Sequence, residues 1–498
     1  MKEHSLKKRY IIKLFSSIIS GVINALLIAF VPKALGPVTY GQFVYLQDFF
    51  MKMLSFLDMG SSIAFFTKLS ARHDRKELIT FYFLYACFIL FILFGFILFM
   101  QKVDYLHNLL PDIPEKYIYM GLVFGFLTWF TQIFIKISDA YALTISVELI
   151  KIGHKISSLF LLLYFIYYTA FDLNIYFYFH YIALLSFLLI IIYLFIKKNI
   201  FINIFNFQFS ILSLLKEFIN YCHPLVMYSI IGLVSGFFDI WLLQKMAGSE
   251  QTGFYGLAYS LAAMCFVFTS SMTPIITREF AKAFEHNDFS RMRKLFYRYI
   301  PMFYAIATYF SVFIAIESDT VLAIFTDEKF QGAGVVLMVM ALYPIHQTYG
   351  QLSGSIFYAT GQTKLIRNIS FFTQPFGMLM SVVLLYWFDL GAIGLAFKMV
   401  FMQWIGTNIQ LYFNAKLLRF KMMTFVWHQI YTLILLALLA YISTLIIMFN
   451  SDILTFLISG VLYTIFVTIL IYIFPQIFAT SRDEIHIIMK RVMGVIKK

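Results

Sequence analysis

The chain has 498 residues, of which 61% are hydrophobic, 20% are aromatic and only 13% are charged. A soluble globular domain carries about 25% charged residues, so this composition excludes an ordinary soluble protein and predicts a helical membrane protein. The net charge of +13 is scattered over short polar segments without a basic domain, which argues against a nucleic-acid partner.

Apolar segments long enough to cross a bilayer follow one another along almost the whole chain. A hydrocarbon core of about 30 Å needs roughly 20 residues of helix, and the hydropathy pattern predicts about 14 such spans. The expected fold class is therefore an all-α polytopic membrane protein. In chain order the predicted spans are 10–31, 42–67, 79–100, 117–138, 142–168, 175–196, 220–245, 253–277, 299–325, 333–360, 368–388, 391–414, 429–449 and 453–474.

Lysine and arginine residues are concentrated in alternate polar segments between these spans. With an even number of spans both termini lie on one side, and most of the 38 basic residues then fall on that side. Cytoplasmic loops are enriched in basic residues, so the pattern predicts a multi-pass protein with both termini in the cytoplasm. The apolar run after the basic N-terminus is too long for the core of a signal peptide and is interpreted as an uncleaved first span.

Motifs for enzymatic chemistry are not found in the sequence. Cys87, Cys222 and Cys265 stand singly, without the spacing of a metal or redox site, and are interpreted as packing residues. The longest predicted outer loop, 101–116, is short and lacks a DxD pair, and no nucleotide-binding P-loop motif occurs. We therefore expect a transporter that is not an enzyme, with no catalytic residues, no metal site and no cofactor beyond a coupling ion such as H⁺ or Na⁺.

A motif in the first part of the chain recurs in the second part and indicates an internal repeat. Lys33-x-x-Gly36-x-x-x-x-Gly41-x-Phe43 is matched 212 residues later by Lys245-x-x-Gly248-x-x-x-x-Gly253-x-Tyr255. In each copy an apolar helix is expected to end at the lysine, and a glycine turn and a second long helix follow. Six predicted helices separate the copies, so the two lobes have the same orientation in the membrane, as in one class of transporter repeats.

The repeat and the spans together predict five regions. The last two spans have no counterpart in a plan of six plus six helices and are interpreted as an appendage. In the tail, Ser481 and Glu484 have the spacing of a capping box, and an apolar stripe with basic residues follows that would meet anionic lipid headgroups. The regions are 1–199, the N-lobe; 200–219, a cytoplasmic interfacial linker; 220–414, the C-lobe; 415–474, two further spans; and 475–498, a cytoplasmic basic amphipathic tail.

Three motifs in order along the chain resemble one family of transporters. They are Leu35-Gly36-Pro37-x-x-Tyr40-Gly41-x-Phe43 with Leu57-Asp58-x-Gly60, then Asp239-x-x-x-Leu243-x-x-x-x-Gly248, and then Gly354-x-x-x-x-Ala359-x-Gly361-x-Thr363-Lys364. With the helix count, they resemble the polysaccharide and O-antigen flippases of the multidrug/oligosaccharidyl-lipid/polysaccharide (MOP) exporter superfamily. The resemblance implies two six-helix lobes like those of the MATE transporters, with two extra C-terminal helices.

The same resemblance implies a function. A flippase of this family would move a polyprenyl-pyrophosphate-linked oligosaccharide across the bacterial inner membrane by alternating access, for the synthesis of O-antigen, lipopolysaccharide or capsule. Its partners would be the lipid-linked glycan and membrane lipids, with a polysaccharide polymerase and a chain-length regulator as candidate protein partners. An ion-coupled antiporter of drugs or organic cations with the same fold is the main alternative, and a polymerase or ligase and a structural scaffold are the others.

Charged side chains within the predicted spans are the candidate functional residues, because a charge at membrane depth costs several kcal/mol unless it faces a cavity or a partner. The lysines that would attract pyrophosphate or sugars are Lys52, Lys136, Lys151 and Lys398. The groups that would bind a coupling ion or take part in gating are Asp48, Asp58, Glu148, Asp239 and His346.

Structural roles for several of these residues remain open from sequence alone. Asp48 and Lys52 lie one helical turn apart and can pair for packing alone. Asp58 can serve as a helix cap, and Lys136 can extend its amine to the lipid headgroups. A single buried histidine such as His346 is more often a hydrogen-bonded packing residue than a proton carrier.

Overall fold

A computed structural model describes most of the chain. The described residues are 6–71, 76–141, 143–201, 210–266, 269, 273–446 and 451–484. Within them the chain forms helices and no β-strand, which confirms the predicted all-α fold class. By its internal contacts the chain divides into two compact units, Met1–Gly253 and Phe254–Lys498.

The first unit is built from long helices joined by short connections. In chain order they are α1 Leu6–Asp58, α2 Ser61–Ala71, α3 Glu77–Lys102, α4 Leu106–Leu109, α5 Glu115–Ala140, α6 Thr144–Tyr168, α7 Leu173–Lys197 and α8 Ile211–Ala263. The last turns of α8 belong to the second unit.

The second unit contains shorter helices at its breaks and long helices elsewhere. After a 3₁₀ turn at Met264–Phe266 they are α9 Thr273–Glu285, α10 Phe289–Ile316, α11 Ser318–Phe325, α12 Gly334–Met340, α13 Tyr343–Ala359, α14 Thr363–Val382, α15 Gly391–Leu418, α16 Met422–Ile446 and α17 Asp452–Ile473. Further 3₁₀ turns lie at Glu328–Ala333 and Pro475–Phe478, and a π-helical turn at Val383–Trp387 extends α14.

Several of these helices can cross a membrane. Among the described residues, nine helices are long and apolar enough to do so, and the first of them, Ile19–Asp58, contains a break. The protein is therefore a multi-pass membrane protein. The total of about 14 spans stays a prediction, because other predicted spans are divided or run into residues outside the described ranges.

The two copies of the repeat motif break their helices at equivalent glycines. Gly36 has φ 74° and ψ 166° inside α1, and Gly248 has φ 80° and ψ −179° inside α8. Both conformations favour glycine because a Cβ would be strained there. The break occupies one residue in each copy instead of the longer turn expected from the sequence.

Predicted span 42–67 is two helices in the structure. Helix α1 ends at Asp58, because Met59 and Gly60 have positive φ angles of 45° and 80°, and α2 begins at Ser61. Span 299–325 likewise divides at Glu317, which separates α10 from α11. Each break coincides with a short polar stretch, which contains Asp58, Ser61 and Ser62 at the first break and Glu317-Ser318-Asp319-Thr320 at the second. Apolar residues flank both stretches, so the average hydropathy of a long window does not show them.

The two C-terminal helices are part of the core of the second unit and not an appendage. Leu436 and Ala440 of α16 and Tyr463 of α17 are at most 1% exposed and belong to the same buried cluster as Tyr304 and Phe313 of α10. The ring of Tyr463 stacks on that of Phe313 with centroids 5.3 Å apart.

The predicted capping box is confirmed. The backbone N–H of Ser481 donates to Glu484 Oε2 at 3.2 Å, and the N–H of Glu484 donates to Ser481 Oγ at 3.3 Å. The apolar stripe predicted to follow it lies outside the described residues, as does the 202–209 part of the predicted linker.

Candidate functional site

Lys52 lies at the centre of a polar cluster formed by α1 and α8. Its Nζ is 2.5 Å from Oδ2 of Asp48, one turn earlier, and also donates a hydrogen bond to the carbonyl oxygen of Gly236. A Cβ at position 236 would lie 3.3 Å from Cε of Lys52, so glycine allows this close approach. Asp239, further along α8, exerts electrostatic repulsion on Asp48. One ammonium group and two carboxylates of α1 and α8 are therefore grouped together.

The Lys52 cluster is partly accessible. The side chain of Lys52 is 29% exposed and that of Asp48 is 32% exposed, so neither is sealed in the packed interior. An ammonium group with three donor hydrogens can exchange one partner for an anionic ligand while it keeps another. The cluster can therefore hold its charge at rest and still present it to a phosphate group.

Asp58 terminates α1 and caps the start of α2. Its Oδ1 accepts hydrogen bonds from Ser61 Oγ at 3.0 Å, from the N–H of Ser62 at 3.1 Å and from Tyr82 OH at 2.8 Å. Its Oδ2 accepts a hydrogen bond from Ser62 Oγ at 2.7 Å. Free N–H groups at a helix start attract a carboxylate in this way, so the geometry accounts for Asp58 as a capping residue.

Lys136 of α5 joins the Asp58 network. Its Nζ donates a hydrogen bond to Ser62 Oγ, and its charge interacts electrostatically with Asp58. An apolar cavity of about 180 Å³ is lined by Asp58 and by residues that include Phe81, Tyr85 and Phe218. The network thus contains one positive and one negative side chain, Lys136 and Asp58, beside an apolar cavity.

Helix α6 carries a third group of charges. Glu148 is only 6% exposed and its Oε2 lies 3.7 Å from Nζ of Lys151. One turn later, Lys155 Nζ donates to Asn24 Oδ1 at 3.3 Å and also interacts electrostatically with Glu148. Lys155 was not among the residues singled out from the sequence, although it lies in predicted span 142–168.

In the second unit, His346 of α13 is surrounded by aromatic and polar groups. Its side chain is 7% exposed, its ring centroid is 6.0 Å from that of Tyr304, and its carbonyl accepts a hydrogen bond from Thr407 at 3.1 Å. Its Nδ1 is buried and makes no hydrogen bond with any part of the chain that the structure describes. Tyr304 also lies 5.6 Å from the ring of Tyr349 and donates to the carbonyl of Gln429.

Lys398 of α15 is the other candidate in the second unit. It is 7% exposed, and its stem packs against Gly377 of α14, where a Cβ would lie 3.1 Å from Cε and 3.5 Å from Nζ. Pro375 and the π-helical turn after Val382 interrupt the regular hydrogen bonding of α14 on either side of this contact. A buried lysine thus lies beside an irregular stretch of helix.

Several residues of these groups could not be found from the sequence. Ser62, Tyr82 and the Gly236 carbonyl carry no charge, and their sequence positions give no sign that they would meet Asp58 or Lys52. Glu317 could have been identified as a candidate from the sequence, because it is an acidic residue within a predicted apolar span. It is 5% exposed and accepts a hydrogen bond from Ser459 Oγ at 2.9 Å.

Comparison with known structures identifies the fold. A lipid II flippase, MurJ, in an inward closed conformation matches with a TM-score of 0.68 and 14% identity over 93% of this chain and 98% of that one. An inward-facing multidrug resistance MATE transporter of the MOP superfamily matches with a TM-score of 0.59 and 16% identity over 84% and 95%. A MOP superfamily transporter from Pyrococcus furiosus matches with a TM-score of 0.55 and 17% identity over 84% and 97%. At such identities the likeness establishes the MOP fold and nothing further.

Comparison of sequences identifies the family. No curated protein gives a significant match to this chain. The model of the family described as polysaccharide biosynthesis protein matches residues 6–279, which is more than half of the chain. The expected family is confirmed: the chain belongs to the polysaccharide biosynthesis protein family and has the fold of the MOP transporters.

Proposed function

We propose that this protein is a flippase that moves a polyprenyl-pyrophosphate-linked oligosaccharide across the bacterial inner membrane by alternating access. The product would serve surface polysaccharide synthesis, as O-antigen, lipopolysaccharide or capsule. Family membership and the likeness to a lipid II flippase support a lipid-linked substrate. The reaction would be transport alone, without covalent chemistry.

The partly exposed side chain of Lys52 carries this proposal. A pyrophosphate headgroup must leave water to cross the membrane, and a lysine at membrane depth offsets part of that cost. Asp48 and Gly236 hold the ammonium while no substrate is bound. A phosphate oxygen would take the place of one of these acceptors, and the lysine would return to it after release.

Lys136, Lys151 and Lys398 would contribute to the same electrostatic attraction.

The acidic candidates and the histidine would have the other roles. Glu148, Asp239 and His346 would bind a coupling H⁺ or Na⁺ or take part in gating. Asp48, which holds Lys52, and Asp58, which caps α2, would take part in gating. We place both termini in the cytoplasm and propose a polysaccharide polymerase and a chain-length regulator as partners.

The test is deletion of the gene in its host, followed by two measurements. Surface polysaccharide is quantified, and the sidedness of polyprenyl-linked sugar is measured with an enzyme that reaches only the periplasmic leaflet. We expect loss of surface glycan, with the intermediate retained in the cytoplasmic leaflet. Accumulation of single units on the periplasmic side would instead assign polymerisation to the protein.

An antiporter of organic cations is the second candidate, favoured by the carboxylates Asp48, Asp58 and Asp239 in the first unit. Asp58 is engaged as a helix cap and Asp48 is neutralised by Lys52, which leaves less negative charge for a cationic drug than the sequence suggests. Unchanged glycan with increased toxin sensitivity in the deletion strain would favour the antiporter.

A further inference from the structure

Two glycines related by the internal repeat make reciprocal backbone contacts. Gly41 packs against the carbonyl of Ser249, and Gly253 packs against the carbonyl of Pro37, so closely that a Cβ at either glycine would overlap the carbonyl oxygen. The repeat offset relates Gly41 to Gly253 and Pro37 to Ser249. We call these four residues the glycine clasp. It joins the residues that follow the Gly36 break to those that follow the Gly248 break.

The loop between α3 and α5 is tied down beside this clasp. Four of its backbone carbonyls, within a segment that we call the outer strap, residues 104–114, accept hydrogen bonds from side chains of α1 and α8. The four bonds are Tyr45 OH to Leu109 O at 2.8 Å, Gln42 Nε2 to Asp112 O at 2.9 Å, Trp241 Nε1 to Asn108 O at 3.0 Å, and Gln244 Nε2 to Pro111 O at 3.1 Å.

One side chain connects the strap to the clasp. Nε2 of Gln244, which bonds the strap carbonyl of Pro111, also donates to Ser249 Oγ at 2.7 Å. Thr252, next to Gly253, has no exposed surface and donates to the Gly248 carbonyl. The strap, the clasp and the start of the second repeat therefore form one hydrogen-bonded group.

We propose that the glycine clasp and the outer strap are the closed outer gate of the transport path. This inference rests on the proposed flippase function and on the topology that places the strap outside the cytoplasm. Backbone packed directly on backbone leaves no space for water or solute, so nothing can pass between these two segments while the contact is made. Release of a substrate on this side requires the clasp to separate and the strap to lose its two bonds to α1 or its two bonds to α8.

If this gate is correct, its closure requires glycine at both position 41 and position 253. A methyl group at Gly41 or Gly253 would meet a carbonyl that belongs to rigid helix backbone, so the two segments would be held apart. Either substitution alone would then favour an open outer side.

The experiment measures labelling of a buried cysteine from outside the cell. Thr252→Cys is introduced into a chain whose three natural cysteines are replaced by alanine, and spheroplasts are treated with a membrane-impermeant maleimide. We expect slow labelling in this parent and roughly tenfold faster labelling after Gly41→Ala or Gly253→Ala, as a tenfold rise in the open population would give. Gly95→Ala is the matched control, because a Cβ there meets nothing within 4 Å.

A second pair of variants covers the case in which the glycine variants do not fold. Trp241→Phe and Gln244→Leu each remove strap bonds without added volume, and they should also speed labelling of Cys at position 252. Unchanged labelling in every folded variant would overturn the gate. The labelling does not depend on substrate, so the two proposals can fail separately. Faster labelling of the variants, together with unchanged surface glycan in the gene-deletion strain, would refute the flippase function but support the gate.

Discussion

Asp58 and Lys52 are both charged residues of α1, but their surroundings differ. Asp58 accepts hydrogen bonds from Ser61, Ser62 and Tyr82, and these bonds hold α2 in place after the helix break. Lys52 has two acceptors and keeps 29% of its side chain exposed. Asp58, whose oxygens accept hydrogen bonds from neighbouring residues, is suited to a structural role. Lys52, whose side chain is partly exposed, is suited to bind a ligand.

The first prediction concerns the charge of Lys52. Lys52→Met keeps the length of the side chain and removes a charge-assisted hydrogen bond worth about 1.5–3 kcal/mol, so we expect transport to fall roughly tenfold or more. Lys52→Arg should retain part of the activity because it keeps the charge. The measurement is surface glycan in the deletion strain that carries each variant at equal membrane levels.

Lys102→Met is the control, since Lys102 lies exposed at the end of α3. Full glycan production by Lys52→Met would remove Lys52 from the substrate path.

At the scale of helices, α5 packs on α1 through two glycines four residues apart. A Cβ at Gly125 would lie 2.7 Å from Cβ of Phe50, and one at Gly121 would lie 3.1 Å from Cβ of Leu46. Both contacted side chains have no exposed surface. Small residues at this spacing allow close approach of membrane helices, as they do between other transmembrane segments.

The second prediction concerns this helix contact. Gly125→Ala introduces a methyl group where no space exists, and overpacking of this kind costs about 1–3 kcal/mol. We expect a lower Tm for the purified protein in detergent. Gly153→Ala, at a position with nothing within 4 Å, should leave the Tm unchanged. An equal Tm for both variants would contradict the packing described for α5.

The segment after α17 is held to α10 by one ion pair. Arg298 Nη1 lies 2.6 Å from Glu484 Oε2 and also donates to the carbonyl of Ala479 at 3.0 Å. Hydrogen bonds from Arg298, Thr480 and Ser481 lower the pKa of Glu484 from 4.5 to about 2. A carboxylate with a lowered pKa stabilises the folded state above its unfolded pKa, and this stabilisation is lost as the pH falls through the folded value.

The third prediction follows from this loss of stability at low pH. Glu484→Gln should lower the Tm slightly at about pH 6, where the wild-type carboxylate is charged, and the difference should shrink at about pH 3. The effect is small because both side chains are substantially exposed and screened by solvent. A difference that grows on acidification would contradict the ion pair as its source.

Hydropathy and charge could predict the class of element but not where helices are interrupted. The apolar runs located most of the long helices, and the repeat motif located the breaks at Gly36 and Gly248. The breaks at Asp58 and Glu317 were missed, because the polar stretches there are too short to divide a span by average hydropathy. At the first break the interruption also depends on the positive φ angles of Met59 and Gly60. For the same reason the charged candidates could be found from sequence, whereas their partners Tyr82 and Gly236 could not.

At the scale of the whole molecule, the second unit has a packed interior formed by its own helices. In the second unit, α16 and α17 complete the core around α10, with Tyr463 stacked between Phe313 and Tyr309 at centroid distances of 5.3 and 4.9 Å. A plan of six plus six helices leaves this pair without a counterpart, yet the second unit depends on it for burial.

The fourth prediction is that truncation before α16 abolishes folding of the second unit. Removal of 422–498 would expose core side chains of α10, which include Phe296 and Tyr304, each with no exposed surface. Each large side chain of this kind loses about 1.5–3 kcal/mol of burial energy. We expect no monodisperse protein by size-exclusion chromatography, whereas truncation after residue 484 should leave a folded protein. A folded and active chain that ends at residue 421 would refute this.

The reciprocal contact of the glycine clasp is symmetric between the two repeats. Pro37 touches Gly253 while Ser249 touches Gly41, and each pair is the other pair with the repeats exchanged. This is the pattern of an isologous interface, in which two identical subunits meet across a two-fold axis. One half-length polypeptide would suffice to make it by pairing with a second copy of itself. The clasp therefore has the symmetry of a homodimer interface, although it lies within a single chain.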